Sequence, residues 1–204
     1  DIFQKETLSV LGIYEDKFIS SEKFRHIEAE ELIVVDHPYY YKGTILEQNK
    51  NQPTWVIKWL RETYLNCEKK FDSKKNFFID RSDSKYNHNQ IQNITEVSNY
   101  LKKNNFISYK LKSLSFFEKI YLFKNADIII GIHGAGFVNT VFSKPNTKII
   151  EIRPFLYSNT VYERISNINN LNYHLIQTET LEESKRTNGD INLPLEELDN
   201  ILNK

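Results

Sequence analysis

A histidine and two glycines stand together at residues 133–136, His-Gly-Ala-Gly, directly after the apolar run at residues 127–132. Glycine lets the backbone come close to a ligand, and the free N–H groups at the start of a helix attract anions. The segment could therefore bind a phosphate or a diphosphate, and His133 could add a hydrogen bond. The alternative is a tight turn that needs glycine for its geometry alone. The sequence leaves both interpretations open.

The spacing of these glycines differs from the dinucleotide-binding fingerprint. That fingerprint is GxGxxG, followed about 20 residues later by an acidic residue that binds the ribose. Residues 133–136 do not have this spacing, and no acidic residue follows at a suitable distance. A nicotinamide cofactor is therefore not expected, which disfavours a nucleotide-sugar epimerase or dehydrogenase.

A second polar segment begins at Arg81, directly after the predicted strand at residues 76–80. Its Arg81, Ser82 and Lys85 side chains could hold a phosphate or a sugar. The alternative is a solvated loop in which Arg81 pairs with a neighbouring aspartate. Because the carboxyl ends of parallel strands meet at one edge of a sheet, we expect Arg81 and His133 to face the same crevice.

Two glutamates stand near predicted element ends. Glu151 lies near the end of the apolar run at residues 148–152, where a carboxylate commonly accepts hydrogen bonds from ribose or sugar hydroxyls. Glu118 follows Ser115 by three residues and is predicted to cap a helix. The chain has no HxxxH, ExxH or DxD spacing, so no dedicated metal site is predicted. The remaining histidines are predicted to be structural or to lie on the surface: His26, His88 and His174.

The elements that would position these residues alternate between strand and helix. Strands are predicted at residues 76–80, 106–111, 127–132, 148–152 and 173–177. Helices are predicted at residues 93–103, 115–124, 137–142, 157–167 and 195–202, the first with Asn93 and Glu96 as a capping pair. This alternation is typical of an α/β fold with a Rossmann-like parallel sheet and helices on both faces.

The pattern is less regular before residue 70. A strand is predicted at residues 8–14, a buried strand at residues 31–36, and an amphipathic helix from Pro53 to Tyr64. The charged segment at residues 69–75 is predicted to be a domain boundary. It would divide the chain into residues 1–70 and 71–204.

Composition excludes several classes of protein. The chain has 204 residues, of which 40% are hydrophobic, as expected for a globular protein. It carries 27 Lys and Arg against 27 Asp and Glu, so no overall charge points to nucleic acid. The single Cys67 excludes an internal disulfide, which suits a reducing compartment. No apolar run reaches the length of a membrane span. The lack of Met leads us to expect a fragment of a longer protein.

Three segments together resemble the family-61 glycosyltransferases. They are FFIDRSDS at residues 77–84, NITEV at residues 93–97, and the block at residues 114–154 that contains HGAG and EIRP. The similarity covers about residues 76–176, and weaker similarity extends upstream. The chain departs from the family pattern at Ile94, where a glutamate is usual, at Lys119, where a glutamine is usual, and at residues 86–88, where arginines are common.

The resemblance implies an inverting, metal-independent transfer of a sugar from a nucleotide-sugar donor to a hydroxyl of a glycan or lipid-linked acceptor, in capsular or other surface polysaccharide synthesis. It implies the two-domain GT-B architecture, with residues 1–70 as a remnant of the acceptor-side domain and residues 71–204 as the donor-binding domain. No cofactor and no nucleic acid are implied. The expected location is the cytoplasm, with peripheral association at the inner face of the membrane as a further option.

The resemblance also implies roles for individual residues. His133 is a candidate catalytic base, with a base upstream of this chain as the alternative. A non-catalytic Rossmann-like module that holds a nucleotide or glycan is the alternative function, and the departures at Ile94 and Asn87 favour it. The donor-binding residues implied by the resemblance are Arg81, Ser82, Lys85, His133, Gly134, Ala135, Gly136, Asn139 and Glu151.

Overall fold

A computed structural model describes residues 2–34, 52–82, 90–181 and 189–203. Within these ranges, parallel strands form one five-stranded sheet in the spatial order β2-β1-β3-β4-β5. The strands are β1 (Asn76–Ile79), β2 (Ile107–Tyr109), β3 (Ile128–Ile132), β4 (Lys148–Pro154) and β5 (Asn172–Thr178). The strand order reverses between β1 and β3. In doubly wound sheets, ligands bind outside the carboxyl ends of the strands at such a switch point.

Helices pack on both faces of this sheet, as predicted. Alternate residues of a strand point to opposite faces, so Phe77 and Ile129 join one hydrophobic cluster whereas Phe78 and Ile130 join another. The described helices are α1 (Ile2–Val10), α2 (Thr54–Tyr64), α3 (Ile94–Lys103), α4 (Phe116–Lys124), α5 (Val161–Ile168) and α6 (Leu195–Leu202), together with a 3-10 helix at Ala135–Phe142. The predicted Rossmann-like α/β fold is therefore confirmed. Among the described helices, none combines the length and apolar composition that a membrane span requires.

The predictions for the N-terminal segment were wrong. Residues 2–10 form α1, whereas a strand was predicted at residues 8–14. Residues 31–34 form no strand, and the side chains of Leu32, Ile33 and Val34 are 78%, 80% and 77% exposed. An apolar run becomes a buried strand only where a neighbouring strand can pair with it, and the described residues supply none here. The last two residues of that predicted strand lie outside the described ranges.

Helix α2 packs on the same core as the sheet. It begins directly after Pro53, as predicted, and buries Ile57 and Tyr64 in the cluster that contains Phe77. The Arg61 Nη1 atom donates to the backbone oxygen of Ser143 over 2.8 Å and also to that of Val141. These bonds attach α2 to the end of the 3-10 helix. The domain boundary at residues 69–75 stays a prediction.

The two predicted helix caps have different outcomes. Ser115 and Glu118 form the predicted capping box, in which the Ser115 N–H donates to Glu118 Oε2 over 2.9 Å. This bond, followed by the bond from Lys69, lowers the pKa of Glu118 to about 2. The capping pair predicted at Asn93 does not form. The Asn93 side chain makes no bond to the first turn of the helix backbone; it donates to Glu96 Oε2 over 3.5 Å and binds the backbone of Leu193, accepting over 2.9 Å and donating over 3.0 Å.

The helix predicted at residues 157–167 begins only at Val161. The Asn159 side chain accepts a hydrogen bond from the Val161 N–H over 3.0 Å, and its backbone oxygen accepts one from Arg153. Both bonds hold the preceding residues in a non-helical path. The segment between β4 and α5 is therefore free to place Tyr157 over the end of the sheet.

Candidate functional site

The two predicted polar segments meet at the switch point. Arg81 follows β1, and residues 133–136 follow β3. The Arg81 Nη1 atom donates a hydrogen bond to the backbone oxygen of His133. The two segments therefore meet at one edge of the sheet, as expected, because β1 and β3 are adjacent and parallel.

Gly134 provides the space that the Arg81 side chain occupies. A Cβ atom at position 134 would lie 2.8 Å from Arg81 Cζ and 2.9 Å from Nη1. The backbone of Gly134 is extended, with φ at 169°, so the residue is not needed for an unusual conformation. Its role is steric, because it lets the guanidinium lie directly against the turn.

Gly136 has a packing role as well. A Cβ atom at this position would lie 2.9 Å from Leu111 Cδ1 and 3.3 Å from Ile79 Cγ2. The interpretation that glycine serves geometry therefore holds for Gly136, which lets the 3-10 helix approach the sheet.

The segment that begins at Ala135 is a 3-10 helix, whereas the sequence predicted ordinary helical spacing. The side chains of Asn139 and Thr140 each bind the carbonyl three residues earlier, Gly136 over 2.9 Å and Phe137 over 2.7 Å. These bonds favour the tighter helix. Within the described ranges, no acceptor binds the N–H groups of Gly134, Ala135 and Gly136. Such N–H groups at a helix start can hold an anion.

His133 and Glu151 form a buried pair. His133 Nδ1 binds Glu151 Oε1, and Glu151 Oε2 accepts a hydrogen bond from the Tyr173 hydroxyl over 2.6 Å. His133 is 7% exposed and Glu151 is 0% exposed. Both oxygens of the Glu151 carboxylate are thus occupied by protein groups.

The position of Glu151 differs from the expectation. It was expected near a strand end and in contact with a ligand hydroxyl, but β4 continues to Pro154. Glu151 pairs in register with Gly131 of β3 and Leu175 of β5, so it lies within the sheet. In this arrangement its carboxylate connects to the crevice through His133, and its direct contact with a ligand hydroxyl stays a prediction.

Tyrosines that the sequence analysis did not single out surround the His133 ring. The ring centroids of Tyr157 and Tyr162 lie 4.6 Å and 4.9 Å from that of His133. Burial, and then the charge of Glu151, raise the pKa of Tyr162, so its phenol stays neutral. Burial lowers the pKa of Arg81, while Tyr162 and Tyr157 oppose that shift. Since a guanidinium keeps its proton in proteins, the crevice holds a partly buried cation.

The other predicted donor-binding residues are less clearly placed. Ser82 is exposed, and its N–H donates to Asp80 Oδ1 over 2.8 Å, so Asp80 pairs with Ser82. Asp83, the other aspartate considered as a partner of Arg81, lies outside the described residues. Asn139 is half-buried, and its amide group donates to Gly136. Lys85 lies outside the described residues, as do residues 86–88. The described residues bring together no group of three or more His, Cys, Asp or Glu side chains that could hold a metal ion.

A small cavity of about 120 Å³ opens beside Arg81 at the carboxyl ends of β1 and β3. Most of its wall is apolar, and Arg81 and Asp80 supply charge. Ile94, one of the departures from the family pattern, is 42% exposed at this wall. The full lining consists of Phe78, Ile79, Asp80, Arg81, Ser82, Gln90, Ile91, Ile94 and Ile132.

Comparison with known proteins connects this site to a family. The glycosyltransferase 61 family model matches residues 3–150 of this chain, which is more than half of it. A β-1,2-xylosyltransferase, RCN11 from rice (Oryza sativa subsp. japonica), is 36% identical over 59 residues. That alignment covers 29% of this chain and 11% of the rice protein. The matched part is therefore about a tenth of the length of that relative.

Proposed function

The chain belongs to the glycosyltransferase 61 family, and we propose on this basis that its switch-point crevice binds the diphosphate of a nucleotide sugar. The bound sugar is then transferred to a hydroxyl group of a glycan or lipid-linked acceptor. The likeness to a xylosyltransferase supports a pentose or hexose as the transferred sugar. The supporting observation is the convergence of Arg81 with the N–H groups of residues 134–136, for which the described part of the chain supplies no acceptor.

These groups suit the charge that develops during the reaction. When the sugar leaves, negative charge accumulates on the diphosphate, and preorganised donors stabilise it. The Arg81 guanidinium supplies a cation, and Gly134, Ala135 and Gly136 supply backbone donors. In this proposal they carry the departing charge without a metal ion, and Ser82, Lys85 and Asn139 contribute further polar contacts.

The remaining catalytic task is to take the proton of the acceptor hydroxyl. Inversion requires a base on the face of the sugar opposite the leaving group. His133 is the candidate base within this chain, and a base from another part of the protein is the alternative. Because His133 Nδ1 binds Glu151, only Nε2 is available for a substrate. We favour a hydrogen bond from Nε2 to a phosphate or sugar oxygen over the role of catalytic base.

We also propose an architecture and a cellular location for this chain. Residues 71–204 form the donor-binding half of a GT-B enzyme, and residues 1–70 belong to its acceptor-binding half. We place the protein in capsular or other surface polysaccharide synthesis, in the cytoplasm at the inner face of a membrane. These points rest on the family resemblance.

The second candidate function is binding without turnover. Ile94 favours it, because an exposed apolar side chain lies at the cavity beside Arg81 where the family usually carries a carboxylate. A site without that carboxylate could hold a nucleotide and lack one polar contact that turnover needs.

A nucleotide-release assay separates the two candidates. The protein is incubated with a panel of nucleotide sugars and acceptor oligosaccharides, and the released nucleotide is measured. We expect release from a diphosphate-linked donor and none from a monophosphate-linked donor, since the site is assigned to a diphosphate. Nucleotide binding without release from any donor would contradict the transferase proposal and support the binding module.

A further inference from the structure

The Glu151 carboxylate is the most deeply buried charged group near the crevice. It is 0% exposed and lies in the middle of the sheet, between β3 and β5. A buried carboxylate is costly unless hydrogen bonds satisfy its oxygens. Here one oxygen binds His133 Nδ1, and the other accepts from the Tyr173 hydroxyl over 2.6 Å.

This geometry determines which groups carry protons. Burial, and then the charge of Glu151, raise the pKa of Tyr173. The phenol therefore stays protonated and donates a hydrogen bond to Glu151. An ionised Glu151 carboxylate only accepts hydrogen bonds, and in that state the proton between the two groups lies on His133 Nδ1. The nitrogen left over is Nε2, which accepts a hydrogen bond in the neutral ring and donates one in the cation.

Other contacts keep the imidazole ring in place. Tyr157 and Tyr162 lie against it, with ring centroids 4.6 Å and 4.9 Å away. The His133 N–H donates to the backbone oxygen of Ile152 over 2.8 Å, and its own carbonyl accepts from Arg81. The ring, its backbone and Arg81 therefore form one connected unit.

We propose that Glu151 and Tyr173 are positioning residues that hold a proton on His133 Nδ1, so that Nε2 faces the crevice beside Arg81 and, in the imidazolium, donates to a phosphate oxygen. The proposal rests on the proposed function only for the identity of that ligand. Tyr173 acts through Glu151 and His133, three hydrogen bonds away from the substrate. The indirect role of Glu151 differs from its expected role, which was direct contact with a hydroxyl.

Loss of either partner is expected to change the tautomer of His133. Glu151→Gln replaces the carboxylate by an amide whose N–H groups can donate to Nδ1, so the fraction of the Nδ1–H tautomer should fall severalfold. Tyr173→Phe removes the donor to the other carboxylate oxygen, so Glu151 is held less firmly and the Nδ1–H fraction should fall by a smaller amount.

The measurement is nitrogen NMR of protein labelled with ¹⁵N-histidine, with His133 assigned by comparison with His133→Gln. The matched control is Tyr100→Phe, because the Tyr100 hydroxyl donates to Asp199 over 2.5 Å on the other face of the sheet. We expect the Nδ1–H tautomer in the wild type, a smaller Nδ1–H fraction in both variants, and no change in the control. An Nε2–H tautomer in the wild type, or an unchanged tautomer fraction in both variants, would overturn the proposal.

Addition of uridine diphosphate to the same samples tests the ligand separately. We expect the Nε2 resonance of His133 to move and the Nδ1 resonance to keep its bound proton. If the tautomer is as expected but neither uridine diphosphate nor guanosine diphosphate moves Nε2, the positioning stands and the nucleotide-diphosphate assignment fails. If a nucleotide binds and Nε2 carries the proton in the free protein, the positioning inference fails alone.

Discussion

Replacing Arg81 with alanine is expected to lower the affinity for a nucleoside diphosphate by at least about 100-fold. Hydrogen bonds to charged groups contribute about 1.5–3 kcal/mol each, and each 1.4 kcal/mol is a factor of ten in affinity. Two bonds from the guanidinium to the diphosphate would account for a loss of this size. The variant also loses the bond from Arg81 to His133, which loosens the turn that carries the backbone donors.

Isothermal titration with uridine and guanosine diphosphates measures this effect. Arg164→Ala is the matched control, because Arg164 also donates to a backbone carbonyl, that of Gln52 over 2.7 Å, but from α5. Arg81→Lys should fall between the wild type and Arg81→Ala, since lysine keeps the charge and loses the planar pair of donors. Affinity in Arg81→Ala within threefold of the wild type would show that Arg81 does not bind the diphosphate.

Substituting Gly134 by alanine is expected to weaken nucleotide binding nearly as much as removal of Arg81, with little change in stability. The new Cβ atom would lie 2.8 Å from Arg81 Cζ, so the guanidinium must move. That group is the end of a flexible side chain, and the extended backbone at Gly134 suits alanine. We therefore expect the free energy of unfolding to change by less than about 1 kcal/mol.

A double-mutant cycle tests this mechanism. If Gly134→Ala acts by displacing Arg81, the combination of Gly134→Ala and Arg81→Ala should bind no more weakly than Arg81→Ala alone. Additive losses would show instead that Gly134 acts on the ligand independently of Arg81. Val138→Ala, on the exposed side of the same 3-10 helix, is the control for general effects on that helix.

The position of the crevice could be predicted from sequence because it depends only on the order of elements. Arg81 and His133 each follow an apolar strand directly, and parallel strands bring their carboxyl ends to one edge. What the sequence could not supply was the extent of β4. Its last residues, Arg153 and Pro154, pair with Gln177 and Thr178 of β5, and that pairing places Glu151 inside the sheet.

Contacts between residues far apart in the sequence account for the other features that the sequence did not predict correctly. Tyr173 meets Glu151 because β4 and β5 lie side by side in one register, and periodicity within either strand does not reveal that register. Asn93 caps no helix because Leu193, one hundred residues later, binds its side chain. The apolar run at residues 31–34 has the composition of a strand but no neighbouring strand among the described residues.

If the switch-point crevice binds the diphosphate of a nucleotide sugar, the diphosphate alone should provide most of the affinity. Isothermal titration of the wild-type protein with uridine diphosphate and with uridine, both in the presence of a chelator, measures this contribution. We expect one-to-one binding of the diphosphate at least about 100-fold tighter than the nucleoside, because the charged donors act only on phosphate oxygens. Guanosine and its diphosphate serve as a second pair in case the base is a purine. Equal affinity for nucleoside and diphosphate in both pairs, or no binding of either diphosphate, would contradict the claim.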